Sequence, residues 1–177
     1  MPKILESIRE QLMETARRQI AQNGYAGTTI RSVAAECGIA VGTVYNYFPS
    51  KDVLIATFVS EDWHACIDSI AAGGSDDAQT LLKRISDALR GFTEKHRALF
   101  TDADAASVYH AVFSQRHKQL RQQLSTLIAP ACGDGADRAF LSEFIAEALL
   151  TWTLEGKPFE DIDPILQKLM KHEREES

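Results

Sequence analysis

Cysteine is scarce in this sequence. The number of cysteines is odd, and no two of the three, Cys37, Cys66 and Cys132, lie close together in the sequence. This count and spacing exclude a disulfide framework and a CxxC metal site, so structural thiols and no bound metal are expected. Glycine and proline are also few, at 10 and 5 of 177 residues, and they cluster at a few points. Their distribution excludes a fibrous or low-complexity chain and favours long helices.

Long hydrophobic runs are lacking as well. Apolar stretches such as 144–146 and 148–150 fall far short of the roughly 18 apolar residues that a membrane span needs. Residues 1–6 run directly into charge, so they do not form the apolar core of a signal peptide. We therefore expect a soluble, cytoplasmic protein without a membrane partner.

The charge is unevenly distributed along the chain. The formal net charge is −6, which by itself argues against a nucleic-acid partner. Residues 1–51, however, carry six Lys/Arg and four Asp/Glu, a net charge of +2, whereas the other 126 residues carry 13 and 21, a net charge of −8. A mildly basic N-terminal region therefore precedes an acidic body, which leaves DNA binding by the former open.

Apolar residues recur at helical spacing along the whole chain, and no useful period-2 strand pattern or internal repeat is present. In the first predicted helix, from Lys3 to Asn23, apolar residues recur every four positions, and Gly24 supplies a left-handed end. The sequence predicts an all-α fold of about nine helices. The later predicted helices end near Glu36, Phe48, Ala72, Lys95, Ala105, Ala129, Leu154 and His172, the last one starting with an Asp163 cap and Pro164.

Residues 30–47 have the spacing of a helix-turn-helix. Ala34 provides the small side chain needed where two helices cross, and Gly38 can adopt the positive φ of the turn. The apolar positions of this segment are predicted to point into a three-helix core: Val33, Cys37, Ile39, Val44 and Tyr47.

The outward positions of the second helix in this motif carry hydrogen-bonding side chains. Thr43, Tyr45 and Asn46 suit base edges and phosphate oxygens in a major groove. The alternative is a helical hairpin with an uncharged polar surface. Two threonines open the first helix and Ser50-Lys51 opens the next, both places where backbone N–H groups favour phosphate. The full predicted set of DNA contacts is Thr28, Thr29, Arg31, Thr43, Tyr45, Asn46, Tyr47 and Lys51.

These residues resemble the TetR (tetracycline-repressor-like) family of bacterial transcription regulators over about the first 55 positions. The resemblance is carried by Gly24-Tyr25, Thr28-Thr29-Ile30-Arg31, Val33-Ala34, Cys37-Gly38-Ile39, Gly42-Thr43-Val44-Tyr45, Tyr47-Phe48 and Ser50-Lys51-Asp52-Val53-Leu54. It implies a DNA-binding domain at 1–49 and, at 50–177, an effector-binding body that dimerises through its last two helices. Val41 departs from the polar or basic residue that many relatives carry there.

The sequence independently predicts a dimer. The helix from Ala136 to Leu154 is apolar on more than one face, so it must be covered from two sides, which a monomer of this size can hardly do. The last helix offers a matching apolar stripe for a four-helix contact across a two-fold axis. The predicted interface residues are Phe140, Phe144, Ile165 and Leu169.

The family resemblance also implies an effector pocket among the middle helices, and the inward aromatic and apolar residues are its candidate lining. These residues are Phe58, Trp63, Ile67, Phe92, Phe100, Tyr109, Phe113 and Trp152, although aromatics at helical spacing can equally be plain core. His110 and His117 share a helix face without an evident ligand set. Neither a phosphate-binding or dinucleotide-binding glycine motif nor a nucleophile elbow is present, so no cofactor and no enzymatic activity are predicted.

The resulting hypothesis is a homodimeric transcription regulator, most simply a repressor, that binds a palindromic double-stranded operator and is released by a small hydrophobic effector. Two alternatives remain. One is a helical small-molecule-binding protein or enzyme whose helix-turn-helix head is only structural, and the other is an architectural DNA-binding protein without an effector. Operator retention at physiological salt separates the first alternative from the hypothesis, and ligand-induced release separates the second.

Overall fold

The computed structural model describes residues 2–74 and 77–175, with side chains described for 7–74, 77–103, 105 and 117–170. These residues form nine α-helices, one 3-10 helix and no strand, which confirms the predicted all-α fold. The helices are α1 (Pro2–Gly27), α2 (Ile30–Glu36), α3 (Val41–Tyr47), α4 (Lys51–Ala71), α5 (Ala78–Lys95), α6 (Arg97–Phe100), α7 (Ala103–Ile128), the 3-10 helix (Ala129–Cys132), α8 (Arg138–Leu154) and α9 (Phe159–Glu175). No helix in the described ranges is long and apolar enough to cross a bilayer.

The chain is organised into two compact units. The first consists of Met1–Trp63 with His96–His110, and the second of His64–Lys95 with Ala111–Ser177. The first unit is thus larger than residues 1–49, because it takes in the start of α4 and a second segment that contains α6. The compact units are defined by contacts in space. The boundary predicted between residues 49 and 50 instead divides the DNA-binding part from the effector-binding and dimerisation part, and it stays a prediction.

The core of the first unit consists of buried apolar residues from α1, α2, α3 and α4, together with Leu99 of α6 and Ala105 of α7. The inward stripe of α1 is fully buried at Leu12 and Ala16, as its four-residue spacing predicts. Val33 and Ala34 of α2 are also completely buried, in agreement with a close helix crossing at Ala34. Cys37, Ile39, Val41, Tyr47 and Val59 pack partly buried around this core.

Two glycines shape the helix-turn-helix. Gly24 has φ +72° and interrupts α1 at the position predicted for its end, although a helical turn continues to Gly27. Gly38 has φ +68° in the turn between α2 and α3, and a Cβ there would meet no atom within 4 Å. Backbone conformation rather than space therefore requires glycine at the turn.

A buried polar cluster joins α6 to the helices of the first unit. The Asp62 carboxylate of α4 accepts two bonds from Arg17 of α1, at 3.2 and 3.0 Å. His96, at the start of α6, is buried, with Nε2 3.1 Å from Asp62 Oδ2 and its ring stacked on Phe58 at a centroid distance of 6.0 Å. This cluster, with the burial of Leu99 and Ala105 in the same apolar core, connects the segment that contains α6 to the helix-turn-helix.

The second unit buries one side of α8. Leu141, Ile145 and Leu149 are buried along one side of this helix, whereas Phe140 and Phe144 on another side are exposed. Its sequence is therefore apolar on two sides, and one chain covers only one of them.

The start of α9 differs from its prediction. The helix begins at Phe159 rather than with an Asp163 cap, so Pro164 lies inside it. Phe159 and Ile162 are buried and extend the inward stripe of Leu166 by two earlier positions, and their burial favours the extra turn. Pro164 lacks an N–H for the carbonyl at position i−4, but Pro164 and Glu160 are exposed, so water can replace that bond.

Candidate nucleic-acid interface

The exposed surface of α3 carries the side chains predicted to read bases. Val44 is fully buried and fixes the rotation of this short helix about its axis. Tyr45 is consequently 51% exposed, Asn46 is exposed and Thr43 is half-buried. Tyr47 packs partly against the core, so it offers only part of its surface to a ligand. Tyr45 and Asn46 therefore point outward from a helix that the buried Val44 attaches to the core.

Val41, the residue that departs from the family pattern, has a structural role. It lies partly buried at the first position of α3 and packs against the core of the first unit. Its apolar side chain therefore helps to seat α3 and is not available as a polar contact to a base or phosphate.

The start of α2 is held by a reciprocal cap. The Thr29 hydroxyl accepts the Ser32 backbone N–H at 3.0 Å, and the Ser32 hydroxyl accepts the Thr29 backbone N–H at 3.0 Å. This capping box fixes where α2 begins and leaves Thr29 and Arg31 exposed. Both side chains are on the surface where a backbone phosphate could approach.

Thr28 is buried, which contradicts its predicted contact with DNA. Its side chain is 1% exposed, and its hydroxyl donates to the Gly24 carbonyl at 3.0 Å. Thr28 therefore closes the loop between α1 and α2 and is not at the surface, so we remove it from the DNA-contact set. The distinguishing signal is in the sequence, because only Thr29 has a hydroxyl residue, Ser32, at the capping-box spacing.

Gln19 is a residue that the sequence analysis did not identify. Its amide donates to the Glu36 carboxylate, and its side-chain oxygen accepts the Ser32 hydroxyl at 2.7 Å. Arg18 donates to the same carboxylate at 2.6 Å. These hydrogen bonds, first from Gln19 and then from Arg18, lower the pKa of Glu36. The bonds attach both ends of α2 to α1, and no local pattern in the sequence marks them.

The N-terminal residues up to Lys51, here called the head, carry basic side chains that differ in whether an acidic partner compensates their charge. Among the described basic side chains of residues 7–51, only Arg31 and Lys51 have no acidic partner. The three compensated residues and their partners are Arg9 with Glu61 at 2.8 Å, Arg17 with Asp62 at 3.0 Å and Arg18 with Glu36 at 2.6 Å. Arg31 and Lys51 are thus the cations whose charge is available to a phosphate.

Lys51 is held in place at the start of α4. Its Nζ donates to the Tyr25 carbonyl at 2.9 Å and lies 3.5 Å from the centre of the Tyr25 ring. The Tyr25 hydroxyl donates to Asp52 at 2.6 Å, and the Ser50 hydroxyl accepts the Val53 N–H at 3.1 Å. An ammonium group has three donors, so a phosphate contact is compatible with the Tyr25 bond.

The predicted interface side chains are exposed in the single chain. Phe140 is 74% exposed, Phe144 46%, Ile165 50% and Leu169 37%, and the two phenylalanine rings stack at 6.5 Å. Leu154, which the sequence analysis omitted, is 51% exposed and shares the outward stripe of α8 with the phenylalanines. Exposed apolar side chains of this size mark an interaction surface. The dimer itself stays a prediction.

Between these hydrophobic residues, α8 carries Glu147, which bonds to α7. His117 Nε2 lies 2.9 Å from both carboxylate oxygens, and Thr151 donates to one of them at 3.2 Å. Partial burial raises the pKa of Glu147, but the hydrogen bond and charge of His117, aided by Thr151 and Arg121, outweigh it and leave the pKa lowered. His117 thus binds a carboxylate, and no metal-binding group of three acidic, His or Cys residues occurs among the described residues.

The candidate effector residues are divided between the two units. Phe58, Trp63 and Phe100 belong to the first unit, where Phe58 is part of the buried core. The candidates in the second unit are Ile67, Phe92 and Trp152, each half-buried. The side chains of Tyr109 and Phe113 lie outside the described residues. The aromatic pocket stays a prediction.

The part of the chain that forms the first four helices resembles known regulators. Residues 12–57 match the family model of bacterial regulatory proteins of the tetR family. Over 49 residues the chain is 41% identical to an uncharacterised HTH-type transcriptional regulator, YuxN, of Bacillus subtilis, a match covering 28% of this chain and 17% of that protein. It is 26% identical over 119 residues to the fatty acid metabolism regulator protein of Bacillus subtilis, covering 67% of this chain and 59% of the relative. The matches span less than two thirds of these relatives.

Solved structures show the same fold over nearly the whole chain. A TetR transcription regulator from Haloarcula marismortui superposes with a TM-score of 0.63 at 19% identity, covering 96% of each chain. At this identity the similarity establishes the arrangement of helices and not a shared ligand.

Proposed function

Because this chain belongs to the TetR family, we propose that it is a transcription repressor that binds a palindromic double-stranded operator as a homodimer and releases it on binding a small hydrophobic effector. The observation that carries the proposal is the surface of the head. Polar side chains on α3 face outward over a buried Val44. Of the basic side chains that the structure describes in residues 7–51, the two without an acidic partner are Arg31, which is exposed, and Lys51, which is half-buried.

The side chains of the head would divide into two roles. Tyr45 and Asn46 would contact base edges in the major groove, with Thr43 beside them, because short or planar hydrogen-bonding groups suit those edges. Arg31, Lys51 and the Thr29 hydroxyl would contact phosphates and set the position of the head on the duplex. Phosphate contacts carry no sequence information, so specificity would depend on α3.

Dimerisation would allow the protein to recognise both half-sites of the operator. The exposed side chains of Phe140, Phe144, Ile165 and Leu169 form the predicted interface, and covering them in a two-fold dimer removes apolar surface from water. Two heads related by a two-fold axis match two half-sites of a palindrome.

The effector response would act through α4. Residues 51–63 of this continuous helix belong to the first unit and residues 64–71 to the second. A ligand that favours a different tilt of the helix would favour a DNA-incompetent position of the head. A coupling of about 1–3 kcal/mol would weaken operator binding by roughly 5–150-fold. We assign no catalytic activity, since the relatives are regulators and not enzymes.

The test is selection of operator sequences from random duplexes, followed by fluorescence anisotropy at about 150 mM salt. The wild-type protein should bind a selected palindrome roughly 10³-fold or more tightly than random DNA. Tyr45→Ala should lose this preference while melting at the wild-type temperature, because the exposed ring contributes little to the core.

The control is Gln22→Ala. Gln22 is exposed and lies in the head outside α3, so this variant should retain the preference for the selected palindrome. Equal affinity of the wild-type protein for selected and random duplexes would support a merely structural head and contradict the proposal. Unchanged specificity in Tyr45→Ala would show that α3 is not the recognition helix.

A further inference from the structure

One side chain of α1, that of Gln19, holds two successive turns of α2. Gln19 is only 6% exposed, although glutamine is usually a surface residue. Its amide nitrogen donates to the Glu36 carboxylate, and its amide oxygen accepts the Ser32 hydroxyl at 2.7 Å. Ser32 and Glu36 are four positions apart and therefore lie on the same face of α2. A single buried amide thus attaches about one turn of this helix to α1.

The partners of Gln19 determine the orientation of its amide. An ionised carboxylate only accepts hydrogen bonds, so Glu36 must face the amide nitrogen, and the amide oxygen is left for Ser32. The Ser32 hydroxyl has one proton, and its two acceptors are the Gln19 oxygen at 2.7 Å and the Thr29 carbonyl at 2.8 Å. Ser32 Oγ still accepts the Thr29 N–H at 3.0 Å. The bond to Gln19 is therefore compatible with the cap of α2.

These bonds add direction to the apolar packing of α2. Val33 and Ala34 are completely buried and attach the helix to the core, but burial of apolar surface is not directional. Hydrogen bonds have preferred angles and distances, so bonds to Ser32 and Glu36 restrict rotation and sliding of α2. Arg31 directly precedes Ser32 and is exposed. Its position over the surface therefore depends on how α2 is turned.

We propose that Gln19 is a positioning residue for DNA binding. Through Ser32 and Glu36 it fixes the rotation of α2, and thereby the place at which Arg31 meets a backbone phosphate. The inference rests on the proposed function in one respect, namely that Arg31 contacts DNA. Gln19 is buried and acts through α2 without touching the duplex.

The first experiment compares Gln19→Met with Gln22→Met. Methionine keeps the length of the side chain and removes both hydrogen bonds, and Gln22 is exposed on the same helix, which makes it the matched control. Anisotropy from about 50 to 200 mM salt should show that Gln19→Met binds the selected operator and random DNA each roughly 2- to 10-fold more weakly, the factor that one ordinary hydrogen bond provides. Its salt slope should also be less steep than that of Gln22→Met.

This pattern separates positioning from a structural role. A displaced phosphate contact lowers affinity for every duplex and leaves the ratio of selected to random binding unchanged, because phosphates carry no sequence information. Loss of that ratio in Gln19→Met would show that the whole head is disturbed and would overturn the proposal. A Gln19→Met protein with the affinity and slope of Gln22→Met would overturn it as well.

A double-mutant cycle tests whether Gln19 acts through Arg31. In the Arg31→Ala protein the phosphate contact is already absent, so adding Gln19→Met should change DNA affinity by less than about 2-fold. The two substitutions should therefore be clearly non-additive, as expected of coupled residues. Additive losses would contradict action through Arg31.

An exchange of the two partners provides a rescue. Gln19→Glu places a second carboxylate against Glu36 and should weaken DNA binding at least as much as Gln19→Met does. Adding Glu36→Gln restores an amide donor facing a carboxylate, which can also accept the Ser32 hydroxyl, and returns the formal charge of the pair to −1. The exchange is made in the Arg18→Ala protein, so that no arginine loses its partner, and it should recover the affinity of Arg18→Ala. Failure to recover would overturn the proposal.

The hydrogen bond itself is tested without DNA. The bond from Gln19 is the largest cause that lowers the pKa of Glu36, so Gln19→Met should raise this pKa toward its ordinary value in a carbon-13 NMR titration. An unchanged pKa of Glu36 would overturn the proposal.

Failure of the proposed function gives a different result. A protein that binds selected and random duplexes equally contradicts the proposed function, and the coupling of Gln19 to Arg31 is then read from random DNA at about 50 mM salt, where phosphate contacts provide the affinity. A palindrome-selective protein without that coupling contradicts only the role of Gln19.

Discussion

Arg31→Ala should reduce the salt dependence of operator binding, whereas Arg18→Ala should not. Both arginines lie in the head, and both substitutions change the formal charge by −1. Arg18 is paired with Glu36 at 2.6 Å, whereas Arg31 is exposed and has no acidic partner among the described side chains. Of these two arginines, only Arg31 can therefore bind a phosphate and release its counterion without first losing an acidic partner in the protein.

The magnitude follows from counterion release. Each phosphate neutralised contributes about −0.9 to the slope of log affinity against log salt, so two copies of Arg31 in a dimer contribute about −1.8. From about 50 to 200 mM salt, the wild-type protein should lose roughly 12-fold more affinity than Arg31→Ala. Arg18→Ala should keep the wild-type slope.

The assay is fluorescence anisotropy with the selected operator and with random DNA at four or more salt concentrations. Lys51→Ala should lower the slope as Arg31→Ala does, provided its melting temperature shows that losing the Tyr25 contact has not unfolded the head. An equal reduction in slope for Arg31→Ala and Arg18→Ala would refute the reasoning. It would mean that overall charge, and not compensation of particular residues, determines the interaction.

Three further substitutions test the fold and the assembly. Val44→Asp should unfold the head and abolish its share of the circular-dichroism melting transition, because it places a carboxylate at a completely buried position; a folded variant would contradict the inward orientation of Val44. Phe144→Glu should give monomers in sedimentation and weak operator binding, because the interface would bury like charges across the two-fold axis. The control Gln122→Glu, at an exposed position, should remain dimeric. A Phe144→Glu dimer as stable as the wild-type dimer would place the interface elsewhere. Thr29→Ala should lower the free energy of unfolding by about 0.5–2 kcal/mol in urea, because the cap of α2 is lost. Thr57→Ala, which removes only a hydroxyl bonded within its own helix, should change it little, and equal losses would show that the cap is not stabilising.

The helices and the orientation of α3 could be read from the sequence because they depend on neighbouring residues. Gly24 and Gly38 adopt the left-handed backbone predicted for them, since glycine has no Cβ to oppose a positive φ. Val44 points inward and Tyr45 outward because adjacent helical positions are about 100° apart. These features require no knowledge of distant parts of the chain.

Tertiary structure decided which polar and charged groups remain available. Arg17 is compensated by Asp62, 45 positions away, and no local spacing predicts that pair. Thr28 is buried although its neighbour Thr29 is exposed, and α9 starts before Pro164 because Phe159 and Ile162 find a core to pack against. Periodicity in the sequence identifies the side of a helix that will be buried. Burial and ion pairing in space determine what covers that side and which cations keep no acidic partner, because both depend on contacts between residues far apart in the chain.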